Sequence, residues 1–231
     1  QARLQSKRLP RKILEKLGKR TMLEQIVRRC KAAQLVDEVI VAVPTGEDLD
    51  IFEACGVLCV TGPEEDLLTR LLGAAQGAKA THFIRVTADC PFVCPAVLNM
   101  VMYELLHGKY PVVTNWKTRT WPDGLDLDGY RVEWLEEYAK NPKAQREYFA
   151  QQIIEKAPAG VVLNLPNVEN LSHYRLTVDW PEDLEFARKV YQRMGEPVFD
   201  SRTLIEMLIK YPGLRKINQG RVDGTYGRKP K

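Results

Sequence analysis

Two stretches, HFIRVTADCPF at residues 82–92 and YRLTVDWPEDLEFA at residues 174–187, share one local grammar: an apolar run, an aspartate, any residue, a proline, then a helical pattern. Short runs rich in β-branched residues read as strands, and a proline after the turn suits the first position of a helix. Behind Pro181, Glu182 and Asp183 occupy the first helical turn, where acids complement the macrodipole, and Leu184, Ala187 and Tyr191 fall on one face. Strand-turn-helix units of this kind predict a layered α/β domain. Working outward, further strands are expected at 39–43, 57–60, 112–114 and 161–165, and the two quoted stretches contribute 82–87 and 174–178. Helices are expected at 95–107, 142–156 and 201–211. Near the start, Thr21 and Glu24 make a capping box ahead of Leu23, Ile26, Val27 and Cys30, which share a helical face.

The chain has 231 residues, 45% hydrophobic and 28% charged, ordinary values that exclude a fibrous repeat or a disordered chain. No apolar run approaches the roughly 18 residues of a membrane helix. Five cysteines and no leader pattern suggest a reducing, cytoplasmic setting. Net charge is only +4, yet residues 1–31 carry +9 and residues 215–231 carry +5, leaving the middle strongly acidic. Such asymmetry predicts a local anion site. The C-terminal segment, 219–231, rich in glycine and mixed charge, reads as a weakly ordered extension of a domain spanning 1–218, and no nucleic-acid partner is expected.

The opening QARLQSKRLPRK concentrates Arg3, Lys7, Arg8, Arg11 and Lys12 around Ser6 and Pro10. Guanidinium forks, ammonium groups and a hydroxyl on one loop suit a polyphosphate, although a charged run is also an ordinary solvated surface. Ligands of open α/β sheets sit beyond the carboxyl ends of strands, so Asp89 and Asp179 can meet in one crevice and hold a hard cation such as Mg²⁺. The competing reading makes each a helix cap. The pairs Cys55/Cys59 and Cys90/Cys94 have three intervening residues, where zinc knuckles prefer two, and His82, His107 and His173 are scattered. Neither a dinucleotide fingerprint nor a Walker loop is present.

Taken together, Q-A-R-x-x-S-x-R-L-P-x-K, R-V-T-A-D-C-P-F, W-P-D-G-L-D and L-T-V-D-W-P-E-D-L-E resemble the cytidylyltransferases that activate acidic or modified sugars. The nearest group is that of the spore-coat polysaccharide biosynthesis protein F, related to CMP-KDO and CMP-sialic acid synthetases. The resemblance runs from Gln1 to about Asn218. It implies a three-layer α/β/α nucleotide-diphospho-sugar transferase fold with a mixed, mostly parallel sheet, and transfer of CMP from CTP to a sugar with release of pyrophosphate. By this resemblance Arg8 and Lys12 are catalytic, while Arg3, Ser6, Asp66, Arg70 and Arg85 contact the nucleotide. Asn115, Asp123 and Asp126 face the acceptor sugar, and Asp89 and Asp179 bind Mg²⁺. A homodimer is implied by the same analogy. A sugar-1-phosphate transferase using UTP or GTP, and a nucleotide-binding relative without turnover, stay open as alternatives.

Three departures from the family pattern matter. Arg11 stands where relatives have glycine, which costs the loop its freedom at positive φ. Tyr148 and Ala150 replace a usual His and Thr. The apolar strand that relatives place before Gln-Ala-Arg lies outside this sequence, which is expected to have residues upstream of Gln1; without that strand the sheet would lack a central strand.

Overall fold

The computed structural model describes residues 1–6, 8–195 and 197–221; Lys7 of the basic loop and 222–231 of the expected C-terminal extension lie outside the described residues. A short 3-10 turn, Lys12–Leu14, leads into the hairpin of β1 (Lys16–Leu17) and β2 (Arg20–Thr21) and then α1 (Met22–Lys31). There follow β3 (Ile40–Pro44), α2 (Leu49–Glu53), β4 (Leu58–Gly62), α3 (Leu67–Gly77), β5 (His82–Arg85) and α4 (Pro95–His107). The second half holds β6 (Val112–Thr114), β7 (Asp128–Arg131), α5 (Val132–Ala139), α6 (Phe149–Lys156) and β8 (Val162–Asn164), then α7 (Pro181–Met194), α8 (Ser201–Lys210) and α9 (Pro212–Arg215).

The capping box predicted for α1 forms: Thr21 Oγ1 accepts from the Glu24 amide at 3.2 Å, and the Thr21 amide donates to the Glu24 carboxylate. Such a cap is worth about 1 kcal/mol. Strands β3 and β4 pair in parallel. The other strands form a sheet in the order β5-β7-β6-β8. There β7 runs antiparallel to both neighbours while β6 and β8 are parallel, so the sheet is mixed and β7 alone is reversed.

Strand residues alternate between two cores. Val41 and Val43 of β3 and Val113 of β6 pack with α1, α4, α7 and α8. Ala42 and Val112 point the other way, onto α3, α5 and α6. This period-2 alternation makes the three α/β/α layers. No strand pairing joins β3 to β5 among the described residues. Between them lies a cavity of about 370 Å³ lined by apolar side chains including Val41, Ile84 and Leu98.

Two elements differ from expectation. Residues 174–178 are extended but make only a single bridge, Arg175 to Asp123, because their hydrogen bonds go to loops rather than to a strand. The helix expected from 142 begins only at Phe149. The Gln152 side chain accepts from the Gln145 amide and from the Tyr138 hydroxyl, holding 141–148 as a turn. Strand β7, sequence D-G-Y-R, has a weak strand signal and was not expected; it pairs with both β5 and β6, and at Gly129 a Cβ would lie 2.4 Å from the Leu105 side chain of α4, so glycine lets the helix pack close.

Candidate active site

At one end of the sheet a cleft of about 500 Å³ opens between the basic loop and the loops after β5 and β6. Backbone hydrogen bonds fix the start of the basic loop: the Ala2 amide donates to Ala42 O of β3, and the Ala88 amide to Gln1 O. Arg3, Ser6, Arg8 and Lys12 then line the cleft. Arg11 sits in the left-handed region with φ 55°, and its amide donates to Leu4 O, so the loop keeps the backbone shape that glycine would adopt freely. Strain of this kind costs a non-glycine residue about 1–2 kcal/mol.

The opposite wall carries the two aspartates. Lys12 Nζ lies 2.9 Å from Asp179 Oδ1 and 3.6 Å from Asp89 Oδ2, and donates also to Val178 O at 2.7 Å. Arg8 approaches Asp179 Oδ1 at 2.7 Å and lies over the Trp180 ring. Two carboxylates ninety residues apart in the chain therefore share one cation. Neither caps a helix. The amides of Asp179 and Trp180 donate to Asp183 of α7, not to Asp179 itself. Helix α4 begins six residues beyond Asp89, at Pro95 after Cys94. Among the described residues, Asp89 Oδ1 accepts a long bond from Cys90 Sγ, at 3.4 Å. Burial, reinforced by Asp89, pushes the Cys90 thiol far above the ordinary range, so it stays protonated beside the carboxylates.

The third wall is the W-P-D-G-L-D turn. Asp123 pairs with Arg175 at 3.3 Å and Asp126 with Arg119 at 2.5 Å, and both aspartates line the cleft. Gly124, with φ +99°, brings this turn so close to 176–177 that a Cβ would lie 2.5 Å from the Thr177 amide. Trp116, under the Arg119 guanidinium, donates its indole N–H to Asp128. Half-exposed Tyr148 also lines the cleft.

A family model for cytidylyltransferases matches residues 1–205. The chain belongs to the cytidylyltransferase family. Among relatives, it is 30% identical to the spore coat polysaccharide biosynthesis protein SpsF of Bacillus subtilis, over 92% of this chain and 93% of that protein. A cytidylyltransferase structure from Leptospira borgpetersenii superposes with a TM-score of 0.87 at 27% identity, covering 95% and 94% of the two chains. A CMP-KDO synthetase structure, itself complexed with CTP, shares the fold with a TM-score of 0.64 at 19% identity, over 84% of this chain and 97% of the other. The nucleotide-diphospho-sugar transferase architecture is that of these neighbours.

Within this cytidylyltransferase, several expected contacts fall elsewhere. Asp66 is spent as the N-cap of α3, accepting from the Thr69 amide at 2.9 Å and its hydroxyl at 2.8 Å, and is not among the cleft-lining residues. Asn115 is fully buried: its side chain donates to Leu125 O and accepts from the Leu127 amide, so it pins the W-P-D-G-L-D turn from behind rather than facing the cleft. Arg70 does line the cleft. Its Nη1 donates to Pro63 O, its buried Nε has no hydrogen-bond partner among the described residues, and burial together with neighbouring Arg3 lowers its pKa. Arg85 faces the cleft too, held by a two-pronged pair with fully buried Asp128 at 2.8 and 2.5 Å. Packing also continues beyond Asn218, since Arg221 pairs with Glu182 at 2.5 Å.

Asp128, Arg175 and Asp183 were not anticipated from the sequence. Asp183 was read only as a helix-start acid, and no spacing signals a charge cluster assembled from residues 123, 175, 179 and 183 around one guanidinium. Among the described residues no three His, Cys, Asp or Glu gather as a self-sufficient metal site. Two carboxylates facing the basic loop fit Mg²⁺ nonetheless, because that ion is commonly held by one or two carboxylates together with water and substrate phosphates.

Proposed function

We propose that this cytidylyltransferase transfers CMP from CTP to a hydroxyl of an acidic or otherwise modified sugar, releasing pyrophosphate. The observation that carries the reading is the Lys12 ammonium set between Asp179 and Asp89, with Arg8 beside it, at the junction of the basic loop and the acceptor-side turn. Mg²⁺ held by Asp89 and Asp179 would neutralise charge on the triphosphate. Arg3, Ser6, Arg8 and Lys12 bind the phosphates from the other side, and Lys12 and Arg8 are placed to offset the charge that develops as pyrophosphate departs. Arg70, which lines the cleft, adds a further cation for the nucleotide. Asp123 and Asp126 orient the acceptor hydroxyls, so that much of the acceleration comes from alignment. No covalent enzyme intermediate is needed.

The test is pyrophosphate release from each nucleoside triphosphate with nonulosonic and amino-sugar acceptors, with product masses. CTP-dependent release with a CMP-sugar mass supports the proposal. Faster coupling of UTP or GTP to a sugar-1-phosphate, or CTP binding without product from any acceptor, overturns it.

A further inference from the structure

Behind the cleft wall, the Arg175 guanidinium touches three carboxylates. Its Nε and Nη2 donate to the two oxygens of Asp183, each at 2.8 Å; Nη1 reaches Asp123 at 3.3 Å; and Nη2 lies 3.6 Å from Asp179 Oδ2. Asp183 is fully buried and receives three further donors: Asn218 Nδ2 and the amides of Asp179 and Trp180, all at 3.0 Å. Five donors on two oxygens leave this carboxylate no alternative position, and they account for the cost of burying its charge. The same stretch of backbone serves both sides of the cleft. Asp123 N donates to Tyr174 O, Leu176 N to Asp123 O, and Val178 N to Asp89 O.

Neither Arg175 nor Asp183 lines the cleft. We propose that they are positioning residues: Asp183 anchors the Arg175 fork, and the fork sets the carboxylates of Asp179, on the cation side, and Asp123, on the acceptor side, in one fixed relation. The inference rests on the proposed roles of those two aspartates. A planar fork holds its three carboxylates in fixed directions, whereas the three donors of an ammonium rotate on a flexible stem and impose no fixed relation; Arg-to-Lys is therefore the informative change. Loss of an outer partner of a metal-binding group costs roughly 10–100-fold in metal affinity or activity.

The experiment compares the unaltered protein with Arg175→Lys, which keeps the charge and loses the fork. Mn²⁺ binding is followed by electron paramagnetic resonance without nucleotide, alongside kcat and both KM values per folded molecule and the thermal unfolding midpoint. If Arg175→Lys does not fold, the charge-neutral pair Arg175→Gln with Asp183→Asn replaces it, since that pair leaves no lone buried charge. The expected result is Mn²⁺ affinity about tenfold lower and acceptor KM about tenfold higher, with KM for CTP within about twofold. A folded variant whose Mn²⁺ affinity and acceptor KM are unchanged, or whose two KM values rise together, overturns the inference. Failure of the unaltered protein to bind Mn²⁺ or to turn over CTP overturns instead the reading of the site on which it rests.

Discussion

The loops carrying Asp89 and Asp179 are spelled almost alike and end in different environments. Asp179 is buried, 6% exposed, with Lys12, Arg8 and Arg175 around it and a helix starting two residues later. Asp89 has a third of its side chain exposed, with Lys12 as its cation at 3.6 Å and a further turn before its helix. The shared grammar specifies a chain reversal at the end of a strand, which both loops make. Charge and burial at each carboxylate are set by what packs there from elsewhere, so one local pattern yields a rigid, cation-saturated site and an open one.

This contrast predicts unequal variants. Asp179→Ala should abolish turnover and also lower the unfolding midpoint, because it leaves the Lys12, Arg8 and Arg175 cations facing one another in a poorly solvated wall; losing one member of a buried ion pair costs about 3–5 kcal/mol. Asp89→Ala should abolish turnover equally while shifting stability by no more than about 0.5 kcal/mol, as expected of an exposed position. Denaturant titration beside the pyrophosphate assay separates the two; equal losses of stability would break the comparison.

Lys12→Ala removes the cation the two loops share. A fall in kcat/KM of about 10²–10³-fold is expected, the usual effect of deleting one preorganised charge-stabilising group. An unchanged kcat/KM would remove Lys12 from the chemistry.

Asn115→Ala tests whether an acceptor-side residue acts by contact or from behind. Its amide satisfies Leu125 O and the Leu127 N–H, both shut off from solvent, so a stability loss of about 1–3 kcal/mol is expected in urea unfolding, with Asp126 losing its fixed position. A pure increase in acceptor KM at unchanged stability would restore Asn115 to the cleft surface. Smallest of all is Arg11→Gly, which relieves about 1–2 kcal/mol of left-handed strain against about 0.4–1 kcal/mol of added unfolded-chain entropy. A small rise in the midpoint with unaltered turnover is the expected outcome; a tenfold loss of turnover would give the Arg11 side chain a role of its own.

How much of this was legible in the sequence follows from the range of each interaction. The α1 capping box, the helix after Pro181 and most strands were readable, since period and cap are written within a few neighbouring residues. The helix expected from 142 was delayed to Phe149 by Gln152, and 174–178 became a spine for two loops instead of a strand. Arg29 shows the same limit in the charge count. It belongs to the basic first segment, yet it is buried 1% exposed, donating to Val93 O and Phe199 O far from the phosphate loop. Asp66 and Asn115 show a related limit: a polar side chain beside a cleft can equally well satisfy a helix end or a turn, and the sequence does not say which donor lies nearer.

By itself, then, the sequence determined the layered α/β class, the basic opening loop and the two aspartate-bearing reversals, because each depends on residues within one or two turns of chain. Tertiary structure alone decided that Lys12 meets an aspartate 167 residues away, and that Arg175 and Asp183, outside the cleft, hold its walls. Coulombic and hydrogen-bond partners are chosen by distance in space, which folding sets and local spelling does not.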